Sequence, residues 1–206
     1  MSDEKNPGLV YVVDDDEAVR DSLRWLLEAN RYQVSCYATA EDFLAGYDVN
    51  RVACLILDVR MPGMSGLELQ ERLLALDSEL PTLFISGHGD VPMAVSAMKK
   101  GAADFIEKPF NEAELRGSVE RMLTQARSNA VAKKAQRARA DLMARLTSRE
   151  HQVLECIIAG RLNKQIADDL GISIKTVEAH RANIMDKLDA ATVADLLRLA
   201  LADRPA

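Results

Sequence analysis

The sequence predicts a doubly wound α/β domain followed by a small all-α domain, and three observations predict it. Short apolar runs alternate with helical patterns five times before residue 124. Beyond Thr147 comes a helix, a short turn holding a glycine, and another helix, which is the helix-turn-helix pattern. The charge changes sign between the two parts. Up to Thr124 there are 12 Lys+Arg against 22 Asp+Glu, and from Gln125 on there are 14 against 10. Such asymmetry marks two units with different partners.

Leu9–Val13 reads as a strand, and Glu17–Ala29 as a helix with Val19, Leu23, Leu26 and Leu27 on one face. Gln33–Tyr37 and Val52–Leu57 read as strands, with a short helix at Ala40–Gly46 between them. Gly66–Leu76 is helical, Thr82–Ser86 a strand, Val91–Lys100 a helix and Asp104–Glu107 a strand, and Asn111 begins a further helix. Strands joined by crossover helices require a parallel sheet with helices on both faces. Residues 111–145 hold one glycine, Gly117, and no proline, so one long helix or two abutting ones follow. Within it Val131, Ala135, Ala138 and Leu142 keep a weak 4-3-4 spacing, but a solvated basic spacer suits the segment better than a coiled-coil seam. Thr147 with Glu150 forms a capping box that opens a helix ending at Gly160. Asn163 is placed to cap the next helix, Gly171 suits a tight turn with positive φ, and Ser173 caps the third. Val177, His180, Ile184 and Leu188 are expected to face inward from that third helix.

The chain has 206 residues, 48% hydrophobic and 28% charged, enough for two small domains. No apolar run reaches the ~20 residues of a membrane span, and MSDEKNPG lacks a signal-peptide core. A cytoplasmic location is expected, with no membrane partner. Cys36, Cys54 and Cys156 lie singly in apolar stretches and read as buried free thiols. His88, His151 and His180 lack metal-ligand spacing, which argues against zinc. Residues 147–206 carry 8 basic against 9 acidic residues, so nucleic-acid binding there cannot rest on net charge.

The chemistry gathers at one edge of the predicted sheet. Asp14, Asp15 and Asp16 follow the first strand in YVVDDDE, and Asp58 ends the third in LILDVRMPGMSG. Ser86 ends the fourth in LFISGHGD, and Lys108 ends the fifth in DFIEKPF. Ligands of such sheets bind outside the carboxyl ends of the strands. Crowded carboxylates resist ionising together unless a positive charge compensates. Mg²⁺, a hard cation served by one or two carboxylates and phosphate oxygens, suits this edge. Asp16 and Glu17 read as helix-start acids.

On these residues, 9–124 resemble a two-component response-regulator receiver domain. The resemblance implies strand order 2-1-3-4-5 and phosphoryl transfer from a sensor histidine kinase to Asp58. It implies that Asp15, Asp58 and the backbone carbonyl of Arg60 bind Mg²⁺, with Asp14 acting through water. Lys108 would pair with phosphoryl oxygens through a cis bond to Pro109, Ser86 would donate a hydroxyl, and Phe105 would be the aromatic switch.

LTSRE, GRLNKQIA, ISIKTVEAHR and TVADLLRLA resemble the LuxR/NarL/FixJ-type output domain, and GHGDVPMAV adds a likeness to the FixJ branch. This implies that Ile174–Leu188 is a recognition helix in the major groove of promoter DNA. Lys175, Glu178, Ala179 and Ala182 would then lie toward base edges, and Lys164, Thr176, Arg181, Asn183 and Lys187 toward phosphates. The family often has a basic residue where this chain has Glu178 or Ala182. Glutamate accepts from cytosine N4 and alanine packs on a thymine methyl, so the departure bears on the target sequence.

The expected organisation is a receiver at 1–124, a basic helical linker at 125–146 and the output domain at 147–206. The expected function is a transcription regulator switched by phosphorylation, with RNA polymerase as a further partner. Phosphorylation is expected to create a receiver homodimer through Val91, Ala94, Val95 and Lys99. An aspartyl phosphatase usually carries a second acid two residues after the nucleophile; here Arg60 stands there, so no enzyme is expected. A flavodoxin-type carrier is disfavoured by the acidic loop after the first strand. The alternative, a DNA-binding regulator independent of phosphorylation, should have lost Asp58, Asp15 or Lys108, and all three are present.

Overall fold

The computed structural model describes residues 8–87 and 91–201, the side chain of Val91 excepted. Strands β1 (Leu9–Val13), β2 (Gln33–Tyr37), β3 (Ala53–Asp58), β4 (Thr82–Ser86) and β5 (Asp104–Glu107) form one sheet in the order β2-β1-β3-β4-β5. Every pairing is parallel. Helices α1 (Glu17–Ala29), α2 (Ala40–Gly46), α3 (Gly66–Ala75) and α4 (Val91–Lys99) alternate with the strands, and α5 (Glu112–Met143) follows β5.

The period-2 alternation of strand side chains divides the core in two. Tyr11, Val13, Leu55, Leu57 and Phe84 meet Phe43 of α2, Leu69 and Leu73 of α3 and Ala97 of α4 on one face. Val10, Val12, Cys54, Ile56, Leu83 and Ile85 meet Leu23 and Leu27 of α1 and Leu115, Val119 and Leu123 of α5 on the other. Burial on both faces explains why the strands read as continuous apolar runs. A helix as short as α1, 13 residues, is marginal alone in water. Burying Leu23 and Leu27 contributes roughly 3–6 kcal/mol, enough to hold it.

The strands end where the polar groups begin. Observed β3 runs one residue further than expected, so Asp58 is the last residue of the strand itself. Asp16 caps α1 by accepting from the Ala18 amide. Asn111 caps α5, its Oδ1 accepting from the Ala113 amide at 2.8 Å. One uninterrupted helix therefore spans 112–143, the first of the two alternatives for that segment. Two compact units divide at Val131 and Ala132, within α5.

In the second unit α6 (Ser148–Ile158), α7 (Asn163–Leu170), α8 (Ile174–Lys187) and α9 (Val193–Leu201) enclose Val153, Leu154, Ile157, Ile166, Val177, Ile184, Leu188 and Leu196. Thr147 and Glu150 close the expected capping box. Gly171 takes φ +62° and ends α7 in the left-handed region, which a Cβ would strain. Ser173 caps α8, as expected. Asn163 does not cap α7: it is the first helical residue, and Leu162 stands at the cap with its amide donating to the Gln165 Oε1 at 2.9 Å. His180 is half-buried at the margin of the core, which Val177, Ile184 and Leu188 fill. Of the free thiols only Cys54 is buried; Cys36 and Cys156 are half-buried, against expectation.

Candidate functional site

Sheet register builds the site. Val13 pairs with Leu57, so Asp14, one residue beyond β1, comes beside Asp58 at the end of β3. Ser86 ends β4 opposite Glu107, and the Lys108 amide continues the ladder by donating to the Ser86 carbonyl at 2.7 Å. The Lys108 ammonium then donates to Asp14 Oδ2 and to Asp58 Oδ1, both at 2.7 Å. Residues 94 and 50 positions away thus share one cation. The Lys108–Pro109 bond is cis. The second oxygen of Asp58, Oδ2, accepts from the Arg60 amide at 2.7 Å.

The electrostatics follow from burial. The side chains of Asp14 and Asp58 are 3% and 9% exposed, that of Lys108 21%. Burial pushes the Asp14 carboxyl above the usual aspartate range; its bonds to Lys108 and to the Asp16 amide pull only part of the way back. Burial alone would lower the Lys108 ammonium, but its bonds to Asp14 and Asp58 outweigh this and hold it above the usual lysine value. Two carboxylates and one ammonium leave this edge one negative charge in excess.

Ser86 is buried and Phe105 half-buried, the latter packed against the same core as Phe84, its β-pair. Asp15 is exposed. Arg20, one turn into α1, donates to the carbonyls of Asp14 at 2.7 Å and Asp15 at 2.9 Å. Among the described residues no three carboxylate, imidazole or thiol groups converge as a metal cage. The physical reason is local: Lys108 takes up Asp14 and Asp58, and Asp15 faces solvent. The donors at this edge are nonetheless all hard oxygens. Mg²⁺ takes oxygen ligands, keeps several waters and needs only one or two carboxylates, so the carboxylates of Asp15 and Asp58 are donors of the kind it would use.

On α4, Val95 and Met98 are each 45% exposed, Ala94 is half-buried and Lys99 exposed. The side chain of Val91 and residues 88–90 of GHGDVPMAV lie outside the described residues. On and near α8, Lys164, Lys175, Thr176, Glu178, Ala179, Ala182 and Asn183 are exposed, and Arg181 is half-buried. Lys187, expected toward phosphates, also has a partner within the domain. Its ammonium donates to Glu150 Oε2 at 2.7 Å, so it is occupied inside the domain, tying α8 to the start of α6. Lys187, Thr147 and their bonds hold the Glu150 carboxyl down at about 2.

Three structural residues escaped the sequence reading. Arg20 carried a faint signal: it lies one turn from the cap Asp16, and helical side chains lean toward the N-terminus. Gly66 carried none. A Cβ there would run into the backbone carbonyl oxygen of Asp58, so α3 can start against this edge of the sheet only if residue 66 lacks a side chain. Glu150 was read as a cap alone, because its partner Lys187 is 37 residues away.

Comparison with known proteins agrees with this geometry. Residues 10–120 match the response regulator receiver domain, and residues 144–200 match the bacterial regulatory proteins of the luxR family. The chain is 47% identical over 193 residues to the transcriptional regulatory protein FixJ of Azorhizobium caulinodans, covering 93% of this chain and 91% of that one. It is 46% identical over 204 residues to the response regulator protein TodT of Pseudomonas putida, covering 97% and 87%. A solved structure of the response regulator StyR aligns with a TM-score of 0.85 at 45% identity, covering 93% of this chain and 97% of that one.

Proposed function

The chain belongs to the two-component response regulators, pairing a receiver domain with a LuxR-family DNA-binding domain, and on that premise we propose that Mg²⁺-dependent phosphorylation of Asp58 by its histidine kinase switches transcription. The observation that supports it is the Lys108 ammonium shared by Asp14 and Asp58 at the carboxyl edge of the sheet. The Asp58 carboxylate attacks the phosphorus of a phosphohistidine; the P–O bond forms as the P–N bond breaks, and the imidazole leaves. Bound Mg²⁺, held by Asp15, Asp58 and the Arg60 carbonyl with Asp14 through water, would neutralise charge developing on the phosphoryl oxygens. Lys108 stays close enough to Asp58 to pair with a phosphoryl oxygen, and Ser86 offers a hydroxyl from the adjacent strand end. Asp14 orients Lys108 and sets its charge.

Phosphorylation replaces the single charge of the Asp58 carboxylate with roughly two on the phosphoryl group, a net gain of about one on an edge already one charge in excess. Lys108 and Ser86 rearrange around the phosphoryl group, and Phe105 responds on β5. We infer that the α4–β5 face, with Ala94, Val95, Lys99 and Val91, becomes a two-fold receiver interface. Two output domains then address half-sites together at a promoter, in the cytoplasm, with RNA polymerase. Lys175, Glu178, Ala179 and Ala182 read bases; Lys164, Thr176, Arg181 and Asn183 hold phosphates. Lys187, the remaining phosphate candidate, is also paired with Glu150.

Acetyl phosphate with Mg²⁺ tests the first half: the chain should take up phosphate and Asp58→Ala should not. Substantial labelling of that variant would sink the assignment. Sedimentation with beryllofluoride, a phosphoryl mimic, tests the second. Activated protein that stays monomeric at tens of micromolar yet binds DNA better would exclude dimerisation as the switch.

A further inference from the structure

Beyond the long helix, the second unit is short of free cations for a DNA-binding domain. Residues 147–206 hold 8 Lys+Arg and 9 Asp+Glu. Arg161, Lys187 and Arg198 are paired with Asp169, Glu150 and Asp195. Arg149 donates to the Leu170 carbonyl and to Gln152. Among the described residues this leaves Lys164, Lys175 and Arg181, of which Lys175 is assigned to base edges. Even all three on phosphates would give a log-affinity slope against log salt of only about −2.7.

The end of α5 supplies what is missing. Leu142 and Met143 pack on the same core as Val177 and Ile184 of the recognition helix α8, which roots α5 in this unit. At 100° per residue, Lys133, Arg137 and Lys134 fall within an arc of roughly 100°. Leu142 and Met143, the residues of this turn that pack on the core, are together centred on roughly the opposite side of the helix. The cationic face therefore points away from the packed side. All three cations are exposed, and none has an ion pair among the described residues. Asp141 is the one acid on that face, in a segment 125–146 with six basic residues. By helical rise the three cations stand roughly 9–15 Å along the axis from Met143, a distance that spans two to four phosphates of a duplex.

We propose that this face of α5 is a second DNA-contacting surface, in which Lys133, Lys134 and Arg137 bind the phosphates flanking the site read by α8. The occupant is duplex DNA, because the face is cationic, exposed and continuous with the domain that carries the recognition helix. It contributes affinity without sequence preference, since phosphate contacts position a protein and carry no base information. The inference rests on the DNA-binding reading of the second unit.

The test uses the full chain and a random-sequence duplex of about 30 base pairs, so that only the electrostatic term is read. The variant is K133Q/K134Q/R137Q, which keeps good helix formers in place. Lys175→Gln serves as the control on the recognition helix. The triple variant should flatten the slope by about 2 to 3, so that its deficit against wild type shrinks roughly forty-fold between about 50 and 200 mM salt. K133R/K134R/R137K should behave as wild type. Unchanged slope and affinity would overturn the proposal, whether α5 faces solvent or a second copy. Tighter binding by the triple variant would also overturn it, because the cations would then be engaging the acidic receiver. If wild type bound no duplex at low salt and Lys175→Gln changed nothing, the DNA-binding reading itself would fall, and this inference with it.

Discussion

Replacing Lys108 with methionine removes the charge shared by Asp14 and Asp58 while nearly conserving side-chain length. Each N–O separation is 2.7 Å, which at an effective dielectric of 20 corresponds to about 6 kcal/mol of attraction, or about 12 for both. Desolvating three ions offsets most of that. The loss on mutation is set by what stays behind: two buried carboxylates with no counter-charge. Breaking a buried pair costs about 3–5 kcal/mol. Here the Asp16 and Arg60 amides still serve Asp14 and Asp58, and Lys108 was partly exposed, so about 2–4 kcal/mol is expected. For a unit of this size that is a fall in Tm of roughly 8–16 °C. The pH dependence has a definite sign. The folded Asp14 carboxyl already lies above its usual range because of burial, and loss of Lys108 raises it further. An acid whose folded value is raised destabilises only above its unfolded value, where the unfolded chain has released the proton and the folded one must follow. The deficit of Lys108→Met should therefore be largest near neutrality and shrink as pH falls toward the ordinary aspartate range. Adding Asp14→Asn should restore at least half of it at neutral pH. Calorimetry of the three chains at about pH 7 and about pH 5 reads all of this. A neutral-pH deficit under ~1 kcal/mol, or one that does not change with pH, would refute the reasoning.

Glu150 should govern the acid stability of the DNA-binding unit. Its folded value, held at about 2 by Lys187 and the Thr147 cap, lies below the ordinary glutamate value of 4.5; the stability this brings is present above that ordinary value and is lost as pH falls toward 2. Glu150→Gln should flatten this acid limb in circular dichroism melts, and an unchanged limb would show that the pair does not stabilise the fold. Gly66→Ala should destabilise the receiver by about 3 kcal/mol, because the new methyl meets the Asp58 backbone carbonyl. It should also slow phosphate uptake from acetyl phosphate, whereas a variant as stable and as quick as wild type would mean that α3 shifts freely.

Much of this protein was legible without coordinates, and for a local reason. Strand and helix signals, the helix start at Asp16, the caps at Thr147 and Ser173 and the positive φ of Gly171 depend on residues within one turn of each other. The convergence of Asp14, Asp58, Ser86 and Lys108 was legible too, because parallel strands joined by crossovers must deliver their carboxyl ends to one edge. Strand order was not: five βα units are compatible with several orders, and the resemblance to receivers supplied it. Only the tertiary structure decided which charge meets which. Lys108 reaches across 94 and 50 residues to two carboxylates, and Lys187 reaches 37 back to Glu150. Asp15, beside Asp14 in the chain, is left in solvent. No local pattern encodes these choices, because an ion pair depends on distance and burial in space, and both are set by packing. The same holds for Gly66, whose need for a bare backbone exists only because α3 starts against the end of β3.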